Sequence, residues 1–223
     1  MRNRIIPFRV ELLHRNPDLV RIDGLLPDEA RRGALNQYIL EYGEPSPTYT
    51  VLTHTELEGE ILRSMGFRIS NITSIYKHEL PAARSAYSLV DLLTGLTTDN
   101  MDGPLSLQSY LPIGHIIPHH DVYPGSDDPE NGRRFATLIV YLHSPSKGGA
   151  TIFPGLGLGV DPKAGDAIYW FNTKQDGEPD WVMSHAGCPV FEGRKSIATF
   201  WFRQFLQEFR KPCTKDGKYF ETF

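Results

Sequence analysis

Phe135-Ala136-Thr137-Leu138-Ile139-Val140-Tyr141-Leu142 is a continuous apolar, β-branched run, the pattern of a strand buried on both faces. Two further stretches read as strands: Ala167-Ile168-Tyr169-Trp170-Phe171 and Ser196-Ile197-Ala198-Thr199-Phe200-Trp201-Phe202. Turn signals separate them at Asn131-Gly132, Lys147-Gly148-Gly149, Lys163-Ala164-Gly165-Asp166 and Glu192-Gly193-Arg194. Short strands with regular turns predict a sandwich or jelly roll. Upstream, residues 1–100 carry two helical patterns. One opens at Leu26-Pro27-Asp28-Glu29 and stops at Gly43-Glu44-Pro45, with Ala30, Leu35, Tyr38, Ile39 and Leu40 as its apolar residues. The other runs from about Pro81 to Leu96, where Ala86, Leu89, Val90 and Leu93 share one face and Gly95 lies near the end.

Composition excludes several classes of function. The 223 residues suit one sizeable domain, and 40% apolar with 22% charged residues is ordinary globular usage. A net charge of −4 offers no general attraction to nucleic acid or anionic membranes. The longest apolar run is far short of the roughly 20 residues that a membrane span needs. Met1-Arg2-Asn3-Arg4 imitates the start of a signal peptide, but Ile5-Ile6-Pro7-Phe8-Arg9 is too short for its apolar region. Two cysteines, Cys188 and Cys213, are too few for a disulfide scaffold or a four-thiolate zinc site.

The chemistry is carried by histidines. His119-His120-Asp121 places His119 and Asp121 on one side of an extended chain, with His120 facing away. His185, in strand-like sequence before Ala186-Gly187-Cys188, supplies a third ligand. Two histidines and a carboxylate form the facial triad of non-haem Fe(II), and zinc also accepts such ligands. Lys195 follows across the Glu192-Gly193-Arg194 turn. A buried ammonium behind a metal calls for an anionic ligand, because an unpaired buried charge is costly. A dicarboxylate meets both groups, with one end on the metal and the other on the lysine. His14, His54, His78, His115 and His143 have no neighbours that make a site.

Taken together these residues resemble the Fe(II)- and 2-oxoglutarate-dependent dioxygenases of the prolyl 4-hydroxylase family, over about residues 10–220. The matching blocks include Arg134-Phe135-Ala136-Thr137, Gly148-Gly149-Ala150-Thr151-Ile152-Phe153-Pro154, Pro162-Lys163-Ala164-Gly165-Asp166-Ala167 and His185-Ala186-Gly187-Cys188-Pro189-Val190. Gln207-Glu208-Phe209-Arg210-Lys211-Pro212-Cys213 is similar to the tail of animal collagen-type α-subunits. Leu92-Leu93-Thr94-Gly95-Leu96 and Phe67-Arg68-Ile69-Ser70 are weaker echoes of the same subunits. The resemblance implies a mainly β protein with flanking helices, a cupin-like double-stranded β-helix or jelly roll. Residues 1–223 would form one catalytic domain, with a helix-rich flank at about 1–100 and a jelly-roll core at about 105–210. His119, Asp121 and His185 would hold Fe(II). Lys195, helped by Tyr110 and Thr151, would bind 2-oxoglutarate, and Arg134 and Trp201 would line the substrate groove. O2 would be consumed, 2-oxoglutarate would become succinate and CO2, and a C–H bond of peptidyl proline would become C–OH. Ascorbate would restore oxidised iron.

The chain departs from that family at Ile116, where a tyrosine often stands at the mouth of the substrate site, and in a divergent, shortened stretch around Glu44 to Ser64. The first departure keeps open the same oxygenase chemistry on a different protein or small molecule. A catalytically silent binding protein and a cupin-like zinc or sugar binder are the rivals from other classes. The resemblance further implies pairing of Cys188 with Cys213, the endoplasmic reticulum lumen, and a disulfide-isomerase-type partner or a homo-oligomer. Asn71-Ile72-Thr73 is a glycosylation sequon that would matter only in that compartment. Without a visible signal peptide, a cytoplasmic location is the alternative.

Overall fold

Arg134–His143 is the longest strand among the described residues, and both of its faces are covered. Leu138, Val140 and Leu142 enter a core shared with two helices, whereas Ile139 and Tyr141 enter a second core between two sheets. That double burial is why the run is apolar throughout instead of alternating. The computed structural model describes residues 8–46, 68–122, 128–174 and 176–207.

The first half of the chain contributes β1 (Arg9–His14), β2 (Leu19–Asp23), α1 (Glu29–Tyr42), β3 (Glu44–Pro45), β4 (Arg68–Ile69), β5 (Asn71–Ile75), α2 (Pro81–Thr94), β6 (Leu105–Tyr110) and β7 (His115–His119). The second half adds β8 (Arg134–His143), β9 (Lys147–Gly148), β10 (Thr151–Phe153), β11 (Leu158–Val160), β12 (Ala167–Phe171), β13 (His185–Gly187), β14 (Val190–Glu192) and β15 (Lys195–Arg203). The larger sheet runs β1-β2-β12-β8-β15-β6-β5-β3 and the smaller β11-β10-β13-β7-β4, with β14 and β9 paired apart. The two sheets face each other in a jelly roll, and the helices cover the outer face of the larger one.

Local chemistry explains the helix ends. Asp28 caps α1 by accepting from the backbone N–H groups of Ala30 and Arg31 at 2.9 and 3.2 Å. Pro81 opens α2, and Gly95 closes it in the left-handed region at φ 67°. Their buried faces differ from the predicted ones. Leu40 is 57% exposed, because the α1 stripe runs through Leu35, Asn36 and Ile39. Asn36 donates to the Leu142 carbonyl at 3.3 Å. In α2 the stripe is Ala82, Ala83, Ala86, Tyr87, Val90 and Thr94, with Leu89 and Leu93 at its rim. Three alanines let the helix lie close to the sheet, and Thr94 meets its hydrogen-bond demand by donating to the Val90 carbonyl.

Beside these two helices, the described part of residues 1–100 also holds five strands. β2 extends the large sheet beside β12, and β5 extends it beside β6. In β2, Val20 and Ile22 are buried while Arg21 pairs with Glu11 and Asp23. Alternation over so few residues is too short to stand out as a period-2 signal. Among the described residues no helix is long and apolar enough to cross a membrane. Cys213 lies outside the described residues, as do Phe67, His54, residues 47–64 of the divergent stretch and residues 208–213 of the tail.

Candidate active site

The smaller sheet brings two of the predicted ligands face to face. His185 on β13 and His119 on β7 are register partners in an antiparallel pair, so their rings project to one side of the sheet with centroids 4.4 Å apart. Asp121, just beyond the end of β7, turns its carboxylate between them. Its Oδ1 lies 3.8 Å from His119 Nε2 and its Oδ2 lies 3.7 Å from His185 Nε2. The three ligand atoms fall within 4.8 Å of one another. On each ring Nδ1 faces a backbone carbonyl, Ile117 O at 2.9 Å for His119 and Met183 O at 3.1 Å for His185. With Nδ1–H donating there, both Nε2 lone pairs point at the carboxylate, the tautomer that a divalent metal requires. His120 turns away and packs edge-on to Trp181.

A hydrogen-bond relay holds Asp121 from behind. Trp170 Nε1 donates to Asn172 Oδ1 at 2.8 Å, Asn172 Nδ2 donates to Thr137 Oγ1 at 2.8 Å, and Thr137 Oγ1 donates to Asp121 Oδ2 at 2.6 Å. Burial by itself would raise the carboxyl pKa. The imidazoles of His185 and His119, with Arg134 and the Thr137 hydroxyl, outweigh it and hold Asp121 down at about 2. Burial, then the neighbouring His185, lowers His119 to about 4. The cluster therefore offers an ionised carboxylate beside two imidazoles, with His119 held neutral near neutral pH.

Lys195 marks the other end of the cavity. It opens β15 opposite Tyr110 and is 3% exposed. Its Nζ donates to Thr151 Oγ1 at 3.2 Å and lies 5.7 Å from the ring centroids of both Tyr110 and Tyr141. Thr151 Oγ1 also accepts from the Tyr141 hydroxyl at 2.9 Å, which leaves the threonine's own proton to donate elsewhere. Burial pulls the ammonium down from 10.5 to about 8, with Cys188 partly opposing that shift. Among the described residues, hydroxyls and ring faces surround this cation, and none offers it a carboxylate.

The cavity between these ends is partly open to solvent. His119, Asp121, His185, Lys195, Tyr110 and Thr151 all line it. Ile116 and Trp201 form parts of its wall, and the Ile116 side chain crowds Gly187. Arg134 instead stacks its guanidinium 4.3 Å from the Trp201 ring centroid and pairs with Asp102, which Arg203 also holds. Arg68 and Gln108 are among the lining residues that carry no predicted role. Arg68, on β4 opposite Ile116, brings a second cation to the wall, with its Nε buried and without a hydrogen-bond partner among the described residues. Gln108 accepts from the Tyr110 hydroxyl at 2.7 Å. Alternation back along β6 from Tyr110 places Gln108 on the cavity side, a signal present in the sequence. Thr137, Asn172 and Trp170 are visible only once β8 and β12 are paired.

The model of the 2OG-Fe(II) oxygenase superfamily matches residues 105–203. Prolyl 4-hydroxylase subunit alpha-1 of Homo sapiens is 35% identical over 159 residues, which cover 69% of this chain and 29% of that protein. Prolyl 4-hydroxylase subunit alpha-2 of Gallus gallus is 29% identical over 94% of this chain and 38% of its own length. The chain thus spans about three- to four-tenths of the length of these relatives. A viral collagen prolyl hydroxylase from Paramecium Bursaria Chlorella virus-1, solved as a 2OG complex, superposes with a TM-score of 0.64 at 24% identity, covering 83% of this chain and 95% of that one. A prolyl hydroxylase from Trichoplax adhaerens, solved with a hypoxia inducible factor peptide fragment, gives 0.57 at 16% identity, covering 86% and 84%. These two likenesses speak for the fold. With the matched domain and the homologous α-subunits beside them, the chain belongs to the 2OG-Fe(II) oxygenase superfamily.

Proposed function

We propose that this chain is an Fe(II)- and 2-oxoglutarate-dependent dioxygenase that hydroxylates peptidyl proline to 4-hydroxyproline in proline-rich or collagen-like chains, acting as one catalytic domain over residues 1–223. The observation that carries this reading is a single cavity with a buried His-Asp-His cluster at one end and a buried ammonium at the other. The donor set fits Fe(II): two imidazoles and one carboxylate, with both Nδ1 atoms tied back to carbonyls. His119, Asp121 and His185 would hold the metal. Bound there, iron supplies the activation of O2 that no side chain can provide.

The residues of the chain bind, orient and exclude water. Lys195 attracts the distal carboxylate of 2-oxoglutarate, and the free proton of Thr151 and the hydroxyl of Tyr110 add hydrogen bonds. That anchor turns the keto acid end toward the histidines. The apolar wall of Ile116, Ile139 and Ile197 keeps water from the reacting atoms. Trp201, braced by Arg134 and Asp102, borders the groove for the peptide. The products are succinate, CO2 and the hydroxylated residue, and ascorbate would return oxidised iron to Fe(II). Likeness to animal prolyl 4-hydroxylase α-subunits supports the endoplasmic reticulum lumen, a Cys188–Cys213 bridge and a disulfide-isomerase-type partner as parts of the same proposal.

Ile116 favours a second reading. An apolar side chain, 8% exposed, stands in the cavity wall where a hydroxyl would help to position a peptide. The same oxygenase chemistry could therefore serve another substrate. Incubation of the full chain with Fe(II), 2-oxoglutarate and ascorbate over a panel of proline-rich peptides, read by mass spectrometry, separates the two. A gain of one oxygen on proline is the expected result. Succinate formation that ignores every peptide, with no hydroxyproline, would overturn the proline assignment and leave the second reading.

A further inference from the structure

Ser106, Gln108 and Tyr110 alternate along β6 and point to the cavity side of the large sheet, where Gln108 faces Ile197 across the strand pair and is 4% exposed. The Tyr110 hydroxyl donates to Gln108 Oε1 at 2.7 Å, and Gln108 Nε2 donates to Ser106 Oγ at 3.2 Å. A tyrosine hydroxyl has one proton. While Gln108 Oε1 holds it, Tyr110 has nothing to donate to an anion beside Lys195.

We propose that Gln108 is a positioning residue for the dicarboxylate co-substrate, a rotatable amide that decides whether the Tyr110 proton faces the protein or the ligand. This inference rests on the reading of the Lys195 end given above. An amide carries an acceptor on one side and a donor on the other, so a half-turn about its last side-chain bond exchanges them. Nε2 then donates to the Tyr110 oxygen, Oε1 accepts the Ser106 proton, and the Tyr110 proton is released to the carboxylate. Ser106 and Tyr110 are hydroxyls able to play either part, so both arrangements leave every buried polar atom on this face of β6 with a partner. A glutamate at this position could only accept, and it would add a like charge next to the ligand. An apolar residue would leave the Tyr110 proton with no competitor.

The test is calorimetric titration of 2-oxoglutarate, without O2, into the Mn(II)-loaded full chain, with thermal unfolding checked for each variant. Gln108→Glu is expected to raise the Kd about tenfold or more, the effect of an acceptor that cannot become a donor and carries charge. Gln108→Met is expected to bind as tightly as the unaltered chain or up to roughly fivefold tighter, and to have no effect in a Tyr110→Phe background. A residue that merely fills space would give the reverse order, since glutamate matches the shape of glutamine and methionine does not. Equal affinity for Gln108→Glu, or a loss for Gln108→Met as large as for Gln108→Glu, would overturn the proposal. Should Gln108→Glu fail to fold, the Gln108→Met comparison with and without Tyr110→Phe decides alone. No uptake of 2-oxoglutarate by the unaltered Mn(II)-loaded chain would sink the co-substrate reading and this inference together. Uptake that depends on Lys195 but is indifferent to every change at Gln108 would sink this inference only.

Discussion

The two ends of the cavity are both buried and polar, yet they are finished to different degrees. At the histidine end Asp121 is supported by Thr137, Asn172 and Trp170, and each imidazole has a carbonyl behind it. At the lysine end the ammonium has hydroxyls and ring faces for company. The first end has its hydrogen-bonded support already in place. The second holds a cation in a place that favours neutrality, which makes it a weak point for stability and a strong one for recognising an anion.

Breaking the finished end has the largest expected effect. Asp121→Ala should abolish stoichiometric Fe(II) binding and turnover while the chain stays folded, as measured by anaerobic metal analysis and circular dichroism. Lys195→Ala should come next, raising the apparent KM for 2-oxoglutarate about 100-fold or more with Fe(II) binding retained, because a desolvated charge pair is worth roughly 3 kcal/mol or more. An unchanged KM would remove the lysine from the co-substrate site. The relay behind Asp121 sharpens the contrast. Asn172→Ala should weaken metal affinity by about 10- to 100-fold, the usual cost of an outer partner, and leave 2-oxoglutarate affinity in the metal-loaded protein nearly as it was.

The smallest expected effects concern protons and heat at the lysine end. Its pKa is near 8 in the native chain against 10.5 ordinarily. Between those values the unfolded chain binds more protons than the native one, so stability should rise with pH across that window. Dicarboxylate affinity should fall as pH climbs through 8, with proton uptake on binding, measurable by calorimetry in buffers of different ionisation heat. Lys195→Met should erase both trends and raise the Tm of the empty protein by roughly 2–6 °C, as expected when an apolar residue replaces an unpaired buried charge.

Where local pattern and final burial coincide, the sequence was informative. The β8, β12 and β15 runs are apolar because both of their faces are covered. Asp28 and Gly95 mark helix ends through chemistry that needs no tertiary context. β1 to β5 are short and leave little periodic trace, and the state of β2 and β5 is decided by pairing with β12 and β6. The site divides the same way. His119 and Asp121 share a side by local geometry alone. The relay through Thr137 and Asn172 depends on cross-strand register, and Arg68 sits on a strand of two residues that leaves no periodic trace.

The pairing of His185 with His119 across adjacent strands has a further effect. Sliding β13 by one residue against β7 would send one imidazole to the opposite surface of the sheet. A metal gripping both rings would thus act as a clasp on strand alignment. Stripping it with a chelator should loosen amide-exchange protection first along these two strands, before the larger sheet begins to open.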